Sequence, residues 1–218
     1  MSEKITLTID EQEIEAREGE ILLWVALEND IYIPNLCAMK EKERPSANCR
    51  LCFVEVEGYS APVTSCTLPV SQDMRVKTRS PEVDRLVKTA FELILSDHRL
   101  GCSKCPANKK CELQRIAKER KLKLKVGRFD YLEKEVYIDE SPDLLIYDPS
   151  RCVLCGRCVW VDHNVVKAGT LNFSYRGINR KVTTFGDRPL SEFECIEKCG
   201  ECVKVCPVGA LSFKDKEA

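Results

Sequence analysis

Arg151-Cys152-Val153-Leu154-Cys155-Gly156-Arg157-Cys158, answered far downstream by Cys206-Pro207, is the stretch on which the reading of this chain turns. Three cysteines at C-x2-C-x2-C spacing, with a distant fourth before proline, match the corners of a [4Fe–4S] cube. The proline has no amide proton to satisfy and fixes the chain direction beside the cube. Zinc is a poor alternative, because the triplet is too tight for two chelating knuckles.

Composition sets the context. The chain has 218 residues, 44% hydrophobic and 32% charged, enough for one large domain or two to three small ones. A formal net charge of -1 argues against nucleic acid as the main partner. No run nears the roughly 18 apolar residues of a membrane span, and residues 1–6 show no basic-then-apolar leader. Cysteine is the outlier, at 14. Disulfide scaffolds of this density are usually secreted and shorter, so the expectation is a cytoplasmic chain whose reduced thiols bind metal.

Three further cysteine groups flank the first. His98 precedes Cys102-x2-Cys105-x5-Cys111. Three cysteines leave a tetrahedral site one ligand short, and one of only 2 histidines stands where a ligand is missing. Ligation by His98 is therefore preferred over an ordinary surface histidine. A neutral imidazole would raise the potential relative to a fourth thiolate. Nearer the N-terminus, Cys37-x11-Cys49-x2-Cys52-x13-Cys66 offers four thiolates, which suit a [2Fe–2S] rhomb or a tetrahedral zinc. Only Cys49 and Cys52 are close in sequence, which favours the rhomb over paired zinc knuckles. Cys195, Cys199 and Cys202 remain, running C-x3-C-x2-C-x3-C into Cys206. A two-cluster run would carry a further cysteine four residues after Cys158, and Asp162 stands there. A second cube on Cys195, Cys199, Cys202 and Asp162 is the favoured expectation, with His163 the neighbouring candidate. A three-iron cluster, another metal and no cluster stay open.

The intervening sequence divides accordingly. Residues 1–78 read as one α+β unit. Ile5, Leu7 and Ile9 alternate in a strand, Glu11-Gln12 turns into a partner strand at 13–17, and Ile21–Glu28 carries a helical stripe. Strands at 53–57 and 61–64 flank the Gly58 turn. Residues 79–123 read as helical: Ser80-Pro81 is a helix start, with Leu86, Val87, Ala90, Phe91, Leu93 and Ile94 as the apolar face, and a second helix spans 111–122. Residues 124–147 form a connector with structure signals only at 135–139. Residues 148–218 hold the remaining cysteines around a strand-prone insert at 170–184.

The ordered motifs Ile31-Tyr32-Ile33-Pro34-Asn35-Leu36-Cys37, the His98/Cys102/Cys105/Cys111 group, the Arg151–Cys158 run and Cys206-Pro207-Val208-Gly209-Ala210-Leu211 together resemble one lineage. It is the iron–sulfur, diaphorase-side subunit of NAD(P)-linked multisubunit [NiFe] hydrogenases. The same module forms the N-terminus of the large iron–sulfur subunit of complex I. The resemblance implies a ubiquitin-like [2Fe–2S] ferredoxin domain at 1–78, a helical [4Fe–4S] domain with one histidine and three cysteine ligands at 79–123, and a ferredoxin-like [4Fe–4S] domain at 148–218. By resemblance the [2Fe–2S] cluster sits on Cys37, Cys49, Cys52 and Cys66. One [4Fe–4S] cluster sits on His98, Cys102, Cys105 and Cys111, and the next on Cys152, Cys155, Cys158 and Cys206. Two-cube relatives have a cysteine where Asp162 stands. The chain stops soon after Cys206, and no G-x-G-x-x-G or G-x-x-x-x-G-K-[ST] motif occurs, so NAD, flavin and the hydrogen-activating metal are expected on partners. The implied partners are a flavin/NAD(P)H subunit and the [NiFe] hydrogenase small and large subunits. Some relatives also exchange electrons with ferredoxin and bifurcate them at flavin.

The expected function is therefore a relay of single electrons, with no bond chemistry carried out by this chain itself. An NAD-linked formate dehydrogenase or complex I-like assembly is the alternative setting, and a zinc-stabilised interaction protein the remote one. Residues 99–128 hold eleven Lys/Arg against Glu112 and Glu119, which serves either to balance anionic clusters, or dock an acidic subunit, or simply as a solvated helix face. Trp24 is expected in the core, and Trp160 either shields the cube or packs ordinarily.

Overall fold

Alternation of Ile5, Leu7 and Ile9 drives the first strand, β1 (Lys4–Ile9), with all three side chains buried. The computed structural model describes residues 3–134 and 136–214. Glu135, at the head of the stretch singled out at 135–139, lies outside the described residues. The chain divides into two compact units, Met1–Phe91 and Glu92–Ala218.

In the first unit β1 pairs antiparallel with β2 (Gln12–Arg17), in a register running from Lys4 opposite Arg17 to Ile9 opposite Gln12. The turn is Asp10-Glu11, one residue earlier than the sequence suggests. Both residues take positive φ, 47° and 69°, as a two-residue hairpin turn requires. The Asp10 carboxylate accepts the Thr78 amide (2.7 Å), so the turn is also a clasp. Helix α1 (Leu22–Glu28) buries Leu22, Leu23, Val25 and Ala26 against the sheet core. No side chain caps its start; the Leu22 amide donates to the Leu68 carbonyl instead (2.9 Å). Its end is closed by Asn29, whose amide side chain donates to the Val25 carbonyl.

Strands β3 (Phe53–Val56) and β4 (Val63–Thr64) form the second hairpin. A strand not foreseen, β5 (Arg75–Lys77), joins the two hairpins. It runs parallel to β1 and antiparallel to β3, giving the order β2-β1-β5-β3-β4. With one apolar residue, Val76, it has no pattern of its own, and its place is set by the ladders on either side.

Helix α2 (Pro81–Ser96) starts as its sequence predicts: Ser80 Oγ accepts the Val83 amide (3.2 Å), and Glu82 and Asp84 lie in the first turn, favourable to the helix dipole. Its buried stripe is Val83, Val87, Phe91 and Leu95 at four-residue intervals. Leu93, expected on that face, is 50% exposed, because it falls about two residues off the stripe.

In the second unit α3 (Glu112–Arg120) buries Leu113, Ile116 and Ala117 and ends on Lys121 in left-handed conformation. Strand β6 (Leu145–Tyr147) lies in the expected connector and pairs with β9, the last strand, described below. Helix α4 (Arg157–Val161) runs directly into a π-helical turn, Asp162–Val166. The strand-prone insert folds as the hairpin β7 (Asn172–Ser174) and β8 (Lys181–Thr183). Short helices α5 (Glu194–Lys198) and α6 (Glu201–Lys204) precede β9 (Leu211–Phe213), which pairs antiparallel with β6, Tyr147 opposite Leu211. This pairing draws the two cysteine runs of the segment together, since each run lies beside one of the two strands. Among the described residues no helix is long and apolar enough to cross a membrane.

Candidate metal centres

None of the fourteen cysteines, all of them among the described residues, is joined in a disulfide. In the first group, Cys37 and Cys49 come from the irregular segment between α1 and β3, Cys52 immediately precedes β3, and Cys66 lies in a tight turn at Ser65–Thr67 after β4. All four are buried. The Ser65 amide and hydroxyl both donate to the Cys52 carbonyl (2.9 and 3.0 Å), which ties the turn that carries Cys66 to Cys52. Arg50, at φ 53°, bends the chain between Cys49 and Cys52. The Cys37 and Cys49 sulfurs stand 3.5 Å apart. Two thiolates on one metal, at bonds of about 2.3 Å and tetrahedral angles, would stand about 3.8 Å apart. A hydrogen bond with Cys37 and burial hold the Cys49 thiol well above its ordinary range, and a hydrogen bond with Cys52 and burial do the same for Cys66. The hydrogen bond from Cys66 lowers Cys52 instead, so each bond favours one thiolate at the expense of its neighbour. Four buried thiols ionise together only around a cationic core, and the donor set fits an iron–sulfur rhomb on that ground.

The second group follows α2 along the chain. His98 is 6% exposed, and its Nδ1 lies 2.9 Å from the Arg151 carbonyl. A carbonyl has no proton to give, so Nδ1 carries it and Nε2 keeps a free lone pair, as a metal-bound histidine requires. Burial pulls the imidazole pKa below its ordinary value and favours that neutral form. Cys111 stands at the N-cap of α3, where burial raises its thiol above the ordinary range and the charges of Cys105 and Cys102 add to this, partly offset by the Gln114 and Leu113 amides. Cys102 and Cys105 are half-buried.

The third group is assembled by the β6–β9 pairing. Cys155 and Cys158 are buried, Cys152 and Cys206 half-buried. Gly156, at φ 76°, turns the chain from the cysteine loop into α4, and a Cβ there would also press on the Phe173 ring at 3.1 Å. Burial pushes the Cys152 thiol up to about 12, with the charges of Cys155 and Cys206 adding to it. Burial also raises Cys158 well above its ordinary range, with the charges of Cys152, Cys155 and Cys206, and of Cys202 from the fourth group, adding to it. The Tyr147 hydroxyl donates to the Val182 carbonyl (2.7 Å) and lies against Cys152, closing one side. Asp148 accepts the Ser150 amide (3.0 Å) and pairs with Arg151 (3.1 Å), which holds the turn before Cys152.

The second and third groups are joined by main-chain bonds. Besides His98 to Arg151, the Arg99 amide donates to the Ser150 carbonyl (2.8 Å) and the Glu112 amide to the Pro207 carbonyl (2.9 Å). Thus each group's chain braces residues adjacent to a cysteine of the other. At Gly209 any Cβ would collide with the Cys105 sulfur, so the loop after Cys206 passes over the second group at backbone distance. Gly209, Arg151 and Tyr147 were not singled out from sequence. Arg151 acts through its carbonyl, which no side-chain pattern reports, and Gly209 is marked only by standing beside a cysteine-proline pair.

In the fourth group the Cys195 and Cys199 sulfurs are 3.6 Å apart, and Cys202 is buried. Asp162, 3% exposed, belongs with them: its charge acts on both Cys195 and Cys202. Burial raises its own carboxyl pKa, partly offset by the Leu171 amide, which donates to Oδ2 at 3.1 Å. His163, the neighbouring candidate, is exposed and turns its Nε2 to the Leu171 carbonyl (3.0 Å). Among the described residues no three His, Cys, Asp or Glu side chains close on a point that a single ion would fill.

Comparison with known proteins agrees in order along the chain. The model of a 2Fe-2S iron-sulfur cluster binding domain matches residues 2–81. That of the NADH-ubiquinone oxidoreductase-G iron-sulfur binding region matches 88–123, and that of the NADH-quinone oxidoreductase subunit 3 ferredoxin-like domain matches 143–212. The NADPH-Fe(3+) oxidoreductase subunit alpha of Geobacter sulfurreducens is 35% identical across 96% of this chain and 24% of its own length. The NADP-reducing hydrogenase subunit HndD of Solidesulfovibrio fructosivorans is 35% identical across 95% of this chain and 36% of its own. The chain thus spans about a quarter to a third of those relatives. The gamma subunit of the NAD-reducing hydrogenase HoxS of Cupriavidus necator is 30% identical across 96% of this chain and 87% of its own length. A crystal structure of NAD+-reducing [NiFe]-hydrogenase in the H2-reduced state contains a chain that superposes with a TM-score of 0.85 at 30% identity, covering 96% of this chain and 87% of that one.

Proposed function

Because the chain belongs to the family of the NAD-reducing hydrogenase gamma chain, we propose that it relays single electrons between a flavin/NAD(P)H subunit and a [NiFe] hydrogenase module. The observation that carries the reading is the brace between the second and third groups, where His98, Arg99 and Glu112 bond to backbone flanking Cys152 and Cys206. Redox centres held by a shared backbone keep a fixed separation, which suits a relay.

In this reading residues 1–78 form a ubiquitin-like domain with a [2Fe–2S] cluster on Cys37, Cys49, Cys52 and Cys66. Residues 79–123 hold a [4Fe–4S] cluster on His98, Cys102, Cys105 and Cys111. Residues 124–147 connect them to a ferredoxin-like domain at 148–218, with a [4Fe–4S] cluster on Cys152, Cys155, Cys158 and Cys206. A third [4Fe–4S] cluster takes Cys195, Cys199, Cys202 and Asp162. When bound, the clusters supply one-electron redox chemistry that breaks no bond. The chain's own residues do the rest. His98 presents a neutral nitrogen in place of a thiolate, the Gln114 and Leu113 amides offset part of what burial costs the Cys111 thiolate, and burial of Cys155, Cys158 and Cys202 excludes water. The protein works in the cytoplasm, where thiols stay reduced.

The matches at 88–123 and 143–212, to domains named for NADH-ubiquinone and NADH-quinone oxidoreductases, support a complex I-like setting as the second reading. Purifying the native complex separates the two, since a [NiFe] subunit is expected only in the first. The relay is tested by Cys158→Ser within that complex. Loss of one [4Fe–4S] EPR signal together with hydrogen-dependent NAD(P) reduction is expected. Unchanged spectrum and turnover would refute it, as would about one zinc per four cysteines with no iron.

A further inference from the structure

The fourth group differs from the others in mixing one hard oxygen donor with three soft thiols. Two geometrical facts bring Asp162 to it. Asp162 opens the π-helical turn that follows α4, and widened turns of this kind recur at functional sites. Helix α6, which carries Cys202, packs against both α4 and that turn. The carboxylate is then 3% exposed, among thiols whose ionisation it opposes. Its partners are the Leu171 amide at 3.1 Å on Oδ2 and the Thr170 amide, with His163 Nε2 at 3.8 Å. The His163 nitrogen already donates to the Leu171 carbonyl. A buried carboxylate beside three buried or half-buried thiols lacks a full counter-charge from protein, and a metal core provides one.

We propose that Asp162 makes this group a differentiated site: three thiolates hold an iron–sulfide core, and the carboxylate holds one exchangeable divalent-metal corner. The inference rests on reading Asp162, Cys195, Cys199 and Cys202 as cluster ligands. Thiolate is the softer and stronger partner for iron in such cores, and Asp162 has one oxygen already engaged by the Leu171 amide. The corner it holds is the one that lets go first. Release of Fe2+ from [4Fe–4S]2+ leaves [3Fe–4S]0, so charge balances with no electron transferred, and a chelator takes up the ion. The reverse step admits Fe2+ or another borderline divalent ion such as Co2+.

The test uses the full chain reconstituted without oxygen. Titration with a ferrous chelator is expected to remove one iron per chain while acid-labile sulfide stays constant. Oxidation by ferricyanide then gives a three-iron EPR signal, and added Fe2+ reverses both changes. Asp162→Cys, which supplies a fourth thiolate, is expected to keep its iron under the same titration, and Asp162→Ala to assemble directly in the three-iron form. If wild type and Asp162→Cys release iron identically, or neither releases any, the exchangeable corner is wrong. Cys202→Ser separates this from failure of the underlying reading: full iron and sulfide in that variant means that the group holds no cluster, whereas their loss leaves the Asp162 comparison to decide.

Discussion

Two groups pair three cysteines with one residue of another kind: His98 beside Cys102, Cys105 and Cys111, and Asp162 beside Cys195, Cys199 and Cys202. Both odd members are buried, at 6% and 3% exposure. They are held in opposite ways. His98 gives away its Nδ1 proton bond to the Arg151 carbonyl and keeps a neutral nitrogen free. Asp162 receives an amide bond from Leu171 and adds a negative charge to its surroundings. A neutral donor locked by backbone suits a centre that retains its metal and runs at higher potential. An anion on a widened helical turn suits a corner that exchanges. In the proposed reading, the partner of the fourth ligand, more than the number of thiols, sets what a three-cysteine group does.

The comparison breaks most severely under cysteine removal. Cys111→Ser and Cys202→Ser are each expected to lose the iron and sulfide of one cluster and spare the other, checked by iron analysis and EPR. Loss of the same signal in both variants would show that the groups are not separate centres. Replacing the odd ligand is gentler. His98→Cys is expected to keep its cluster but lower its potential by on the order of 100 mV, because a thiolate adds negative charge, and redox titration followed by EPR measures this. Gly209→Ala forces the loop after Cys206 away from the Cys105 sulfur. It should cost about 1–3 kcal/mol in denaturant unfolding and alter the EPR line shape of the His98 group, with the Asp162 group unchanged. Smallest is Lys118→Glu on the exposed side of α3. Stability should stay within about 0.5 kcal/mol, with a slight fall in the potential of the His98 group and none in the Asp162 group.

The fold was legible wherever a pattern is local. The alternation in β1, the serine cap and proline of α2 and the strand-forming tendency of the insert at 170–184 all follow from neighbours in sequence, whereas the pairing of that insert into a hairpin is seen only in the fold. Strand β5 was not, since Arg75-Val76-Lys77 becomes a strand only between β1 and β3. Leu93 was read onto the wrong face for a related reason: several apolar residues crowd one helix, and packing alone selects Val83, Val87, Phe91 and Leu95.

The candidate site divides along the same line. Spacing marked the close runs (Cys49/Cys52, Cys102/Cys105, Cys152/Cys155/Cys158 and Cys199/Cys202), because such chelating turns are written in the chain, whereas the distant members Cys37, Cys66 and Cys206 were assigned with the help of the resemblance. Counting four residues past Cys158 pointed to Asp162, and the scarcity of histidine pointed to His98; both are buried. What only the tertiary structure decided is how those groups are held. The Arg151 carbonyl that orients His98 and the Pro207 carbonyl that receives Glu112 are backbone groups, identical in every residue type and therefore silent in sequence until the fold brings them face to face; Gly209 is visible in the sequence, but only the fold sets its bare Cα against the Cys105 sulfur.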